Sequence, residues 1–177
     1  MSKSLPVWLQ GAAAIAFCLV WRLFPWRPPN VEPVLASLMP FGKRYGVIAG
    51  FLFGALNMVL FDLITSGWTS WTVVTAVTYG MVGALSAPWL ARWQGGIVSF
   101  VTVAVVMTIF YDAITGVAAG ALLFDMSWKT GFLGQIPFTI NHLIGNVILA
   151  ATLSPFFDWI LRQTTPVGPV FRRPARF

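Results

Sequence analysis

The sequence predicts an all-α integral membrane protein: a six-helix transmembrane bundle with a short second helix and cytoplasmic N and C termini. Three observations carry this. Of 177 residues, 58% are hydrophobic and only 9% are charged, whereas soluble domains carry about 25% charged residues. Apolar runs of roughly the 20 residues that cross a bilayer recur along the chain. The basic residues also sort unequally between alternate loops.

Residues 5–24 form the first apolar run. It contains Gln10 and ends in Trp21-Arg22 rather than at a small-residue cleavage site, so it reads as a retained helix and not as a removed signal peptide. PWRPPNVEP, residues 25–33, holds four prolines and cannot be regular helix. The apolar stretch 34–41 is too short to span and is expected as a half-length helix, starting near Asn30 and sheltered by its neighbours. GKRYG, residues 42–46, reads as a charged turn. Further helices are expected over 47–64, 71–91, 97–124 and 133–161, with TSGWTS, RWQGG and DMSWKTG between them. Residues 162–177 form a basic, proline-rich tail able to touch anionic lipid. Residues 1–177 are taken as one domain.

Six helices put both termini on one side. With the termini inside, that face holds Lys3, Lys43, Arg44, Arg92, Arg162, Arg172, Arg173 and Arg176, while the other holds only Arg22, Arg27 and Lys129. The asymmetry selects cytoplasmic termini in a cell membrane. It also accounts for most of the net charge of +6 without nucleic acid as a partner. The single cysteine, Cys18, lies in an apolar run and reads as a small buried hydrophobe.

FDLITSG at residues 61–67 and YDAITGV at 111–117 share an aromatic, an Asp and Ile-Thr, and place Asp62 and Asp112 on parallel helices. The match reads either as a duplication of the kind transporters contain or as two helix ends with similar capping needs. In this topology Asp62, Asp112, Thr115, Gln135, Asn141 and His142 fall in the outer half, with Asn57 one to two turns below Asp62 and Asn30 and Glu32 in the first outer loop. The inner half is expected to hold no comparable set. Ionisable groups in a span usually face a bundle interior or a water-filled cavity. Asp62 also fits a position at the interface, Asp112 a partner of another helix, and His142 a packing histidine bonded to a carboxylate. His142 and Asn146, and Gln135 and Thr139, share faces at i and i+4.

Gly46, Gly50 and Gly54 recur every four residues, and Ala12 and Ala16 do the same on the first helix. Small faces of this kind let helices approach closely, within the chain or between subunits. Hydrolase, nucleotide-binding and zinc motifs are absent from the sequence, so neither an enzyme, a metal nor a cofactor is expected.

RPPNVEPVLASLMPFGKRYGVIAGFLFG, FYDAITG and GQIPFTINHLIGNVILAATLSP resemble the substrate-binding S component of energy-coupling factor vitamin transporters, over residues 5–161. The resemblance implies a six-helix bundle that binds a vitamin or similar micronutrient in a pocket open to the outside. It implies as partners a transmembrane coupling protein and two ATPases, which supply the energy for release inside. Ala12 and Ala16 match the family's small-residue docking pattern, and residues 25–33 would help close over the ligand. The polar set Asn30, Glu32, Asn57, Asp62, Asp112, Thr115, Gln135, Asn141, His142 and Asn146 fits a ligand pocket. Riboflavin is the first substrate to expect, because aromatic residues are abundant and this branch looks nearest to riboflavin-type S components. Two other readings remain open: an ion-coupled small transporter using Asp112 and His142, and a membrane protein whose polar groups only hold helices together.

Overall fold

The computed structural model describes residues 5–93 and 96–164. These fold into six helices, with no strand among the described residues. They are α1 (Val7–Leu23), α2 (Val34–Tyr45), α3 (Val47–Thr65), α4 (Ser70–Arg92), α5 (Ile97–Leu123) and α6 (Trp128–Thr164). The last four are long and apolar enough to cross a bilayer. α1 is an apolar helix of 17 residues, and α2 has only 12. Large apolar side chains such as Ile48, Leu52, Val98, Ile144 and Ile148 are exposed, which suits a hydrocarbon surround better than water.

Cross-helix contacts set the directions. Gly50 and Gly54 of α3 meet Gly83 and Tyr79 of α4, and Thr108 and Asp112 of α5 meet Asn146 and His142 of α6, so both pairs are antiparallel. Exposed tryptophans then mark both ends: Trp8, Trp93 and Trp159 at one, Trp26, Trp68 and Trp128 at the other. Indole belts at both rims are the usual pattern of a membrane-embedded bundle.

α2 is the axis of the bundle. Every residue from Val34 to Gly42 is buried, among α3, α4 and α6. At 1.5 Å per residue it is about 18 Å long, well short of a ~30 Å hydrocarbon core. The chain reaches its start through 25–33, which dips inward until the Asn30 carbonyl and Val31 lie against Gly145, midway along α6. Asn30 turns there with φ 60°, a conformation asparagine tolerates, and Trp21 donates its indole N–H to the Val31 carbonyl at 2.8 Å. Pro40 inside α2 removes the N–H that would pair with the Ala36 carbonyl. Ser154 of α6 donates to that carbonyl instead, at 2.8 Å. Charges complement the dipole of α2, Glu32 just before its start and Lys43 and Arg44 in its last turn.

Three expectations change. GKRYG is not a turn: α2 continues to Tyr45, and the reversal is made at Gly46 with φ 94°. Gly46 thus serves the turn, and only Gly50 and Gly54 form the close face. DMSWKTG is mostly helical, because α6 starts at Trp128 and Ser127 caps it by accepting from the Thr130 N–H. The end expected to lack polar groups carries Asp158, paired with Lys43 at 3.0 Å and with Arg162, and Tyr45 donating to Gln10 at 2.6 Å. Once GKRY is helical, Lys43 faces the last turns of α6 instead of solvent. Lys3, Arg172, Arg173, Arg176 and most of the expected tail lie outside the described residues.

Candidate functional site

α5 begins as ordinary helix, but Ala113–Ala118 forms a wider π-type turn immediately after Asp112. Such turns are rare and recur at functional sites. Asp112 is 1% exposed and faces α6, where His142 Nδ1 lies 2.9 Å from its Oδ1. An ionised carboxylate only accepts, so His142 then donates through Nδ1. One turn deeper, Asn146 Nδ2 donates to Thr108 Oγ1 at 2.8 Å. The two rungs form a polar ladder along the α5–α6 seam. Beyond it, Gln135 Oε1 occupies the space beside Gly116, where a Cβ would come within 1.7 Å.

Rings surround the ladder. Tyr111 meets the His142 ring edge-on at 5.9 Å, Phe138 does so at 5.6 Å, and Tyr79 tilts against Tyr111 at 4.6 Å. Leu35, Tyr79, Tyr111, His142 and Asn146 close together here and leave no space large enough for a water molecule. Ligand pockets for small organic molecules run to ~300–1,000 Å³, so the closed centre of the rings holds no vitamin as it stands.

A second group lies at the same end on the α1 side. Glu32 pairs with Arg22 at 3.0 Å and with Arg27 at 3.2 Å. The Arg22 Nε contact with Glu32 is an ion pair by distance without the geometry of a hydrogen bond. Its guanidinium lies 3.7 Å from the centre of the Phe61 ring and reaches the Asn57 carbonyl at 3.5 Å. Two acceptors in this end are buried without a donor, Asn57 Oδ1 and Asp112 Oδ2. The Asn57 amide nitrogen is used, donating to the Phe53 carbonyl at 3.0 Å.

The structure therefore brings together Glu32, Asn57, Asp112, Thr115, Gln135, His142 and Asn146 from the expected set. Asn30 contributes its backbone to the loop. Thr115 spends its hydroxyl on the Tyr111 carbonyl, as Thr65 does on Phe61, so the two Ile-Thr repeats share one local bond. Their aspartates differ: Asp112 is buried and paired, whereas Asp62 is half-buried with no side-chain partner among the described residues. Asn141 is exposed and does not join the cluster. Arg22, Tyr79, Tyr111 and Thr108 were not singled out in the sequence. Arg22 had a visible signal, an arginine at the end of an apolar helix beside a Pro-rich loop with one glutamate.

Ala12 and Ala16 are exposed. They line a cleft of about 850 Å³ between α1 and α3, with Ile15, Ala49, Leu52 and Leu56. These features define a class: an all-helical, membrane-type protein with a buried polar cluster at one end and an open small-residue face on its first helix. No family model, curated protein or solved structure matches the chain.

Proposed function

We propose that the chain is the membrane-embedded substrate-binding subunit of an importer of the energy-coupling factor type, capturing a vitamin or related micronutrient from outside the cell. The observation that carries this reading is the convergence of charged, amide and aromatic side chains from five helices on one end, with two buried acceptors lacking donors. Holding such groups within a bundle is costly, and a helix pair needs far fewer of them. In this reading the polar end faces outward, six segments traverse a prokaryotic-type cell membrane, α2 does so only in company with the 25–33 loop, and both termini are cytoplasmic. A cavity at the rings opens when that loop swings away from Gly145. The exposed Ala12–Ala16 face receives a transmembrane coupling protein, and two partner ATPases supply energy. Riboflavin is the first ligand to test, given the Tyr79, Tyr111, Phe138 and His142 rings.

The buried Asp112–His142 contact favours a second reading, an ion-coupled carrier in which the pair holds a proton. One experiment separates the two. The purified chain, titrated calorimetrically with a vitamin panel, should bind one member without any partner. Binding that survives in Asp112→Asn but transport by the chain alone in liposomes, lost in that variant, would move the assignment to the carrier.

A further inference from the structure

We propose that the polar end selects a neutral or cationic ring that donates hydrogen bonds, and discriminates against carboxylate and phosphate ligands. The inference rests on the substrate-binding reading above and narrows it to a chemical class. Its first ground is the sign of the unmet hydrogen-bonding capacity. Among the described residues, both buried side-chain atoms that lack a partner outside the Arg22–Glu32 ion pair are acceptors, Asn57 Oδ1 and Asp112 Oδ2. A buried acceptor is satisfied only by a donor, so the complementary ligand presents N–H or O–H groups.

The second ground is charge. The cations nearest the rings are already engaged, Arg22 and Arg27 both with Glu32. Against these two stand the carboxylates of Glu32, Asp62 and Asp112, and His142 adds a cation only when protonated. An incoming carboxylate would find both arginines already paired with Glu32 and would sit near Asp112 in a low-dielectric bundle, where like charges repel strongly. The third ground is shape. Asp112 Oδ1 lies against the His142 ring, which Tyr111 and Phe138 meet edge-on, and Tyr79 tilts against Tyr111. The carboxylate with the free acceptor Oδ2 thus sits beside a set of aromatic faces, which favour a planar partner.

The test uses matched pairs, so the change is made in the ligand and not in the fold. The purified full chain is titrated calorimetrically with riboflavin and its 5′-phosphate, thiamine and its diphosphate, and nicotinamide and nicotinate. Within whichever pair binds, the neutral or cationic member should bind at least ten-fold tighter. In Asp112→Asn, which keeps an acceptor and removes the charge, that ratio should shrink several-fold. An anionic member that binds as tightly as its counterpart, or a ratio unchanged in Asp112→Asn, overturns the inference and leaves the binding reading standing. No binding of any probe to protein with a cooperative thermal transition removes the binding reading, and the inference with it.

Discussion

A carboxylate placed inside an apolar bundle is unfavourable by several kcal/mol unless it is paired. Asp112 meets that condition through His142, and both are nearly inaccessible. Ser154 solves a similar problem for the backbone. Pro40 has no N–H, so the Ala36 carbonyl loses its helical donor, and the Ser154 hydroxyl replaces it from α6. Ser154→Ala should lower the unfolding free energy of the purified chain by about 1–3 kcal/mol, the cost of an unsatisfied buried acceptor. In a Pro40→Ala background the restored N–H takes over the Ala36 carbonyl, and the same Ser154→Ala change should then be close to neutral. Denaturant unfolding of the four proteins in micelles checks this, and equal losses in both backgrounds would refute it. The sequence made half of this legible: a proline in a helix names the carbonyl it orphans, four residues back. It does not name the donor, because Ser154 is 118 residues away. The Asp112–His142 contact was legible in the same partial way. Both residues stood out as polar groups in apolar helices, but only the relative placement of α5 and α6 makes them partners.

Among the elements, α3 and α4 approach most closely. A Cβ on Gly83 would lie 2.1 Å from the Gly50 carbonyl oxygen, and one on Gly54 would lie 2.3 Å from that of Tyr79. Backbone cannot yield as a flexible side chain can, so Gly83→Ala should force the helices apart and destabilise the chain by about 1–3 kcal/mol. Gly134→Ala is the control: nothing lies within 4 Å of its Cβ position, and exchanging a helical glycine for alanine should leave stability unchanged or raise it by up to about 1 kcal/mol. Thermal melts of the two variants in one detergent check the contrast. The four-residue glycine spacing on α3 was readable in advance, and the four long spans follow from apolar length alone. The π-type turn at Ala113–Ala118 was not readable, since no proline or charge marks it. It sits where Gly116 yields to Gln135 and Gly131, a demand set by packing against α6. The end of α2 was misjudged because Lys43 and Arg44 look like loop residues until Asp158 is placed opposite Lys43.

For the molecule as a whole, α1 is the element least committed to the bundle. It buries only Gln10, Gly11 and Cys18. A cleft of about 850 Å³ separates it from α3, and another of about 350 Å³ lies between it and α6. Its side-chain attachments include Gln10 to Tyr45, Phe17 to Phe157, Cys18 to Ser37 and Arg22 to Glu32, on faces other than that of Ala12 and Ala16. A helix held this way leaves its middle face, Ala12 and Ala16, free for a neighbour. Lipid tails and a protein partner place different demands on that face. Lipid adapts to a larger side chain, whereas a helix packed on small residues does not, because its backbone approach depends on them. Ala12→Leu/Ala16→Leu should therefore leave the isolated chain unaffected, with stability within about 0.5 kcal/mol as for exposed substitutions and ligand affinity unchanged. In membranes containing a coupling protein and its ATPases, the same variant should lose co-purification and ATP-dependent uptake. Both are read in parallel with the parent chain. Uptake at the parent rate would place the docking face elsewhere, and a loss of stability in the isolated chain would mean that the alanines pack within it. Loss of assembly with intact ligand binding is the outcome that would separate a substrate-holding polar end from a docking face on α1.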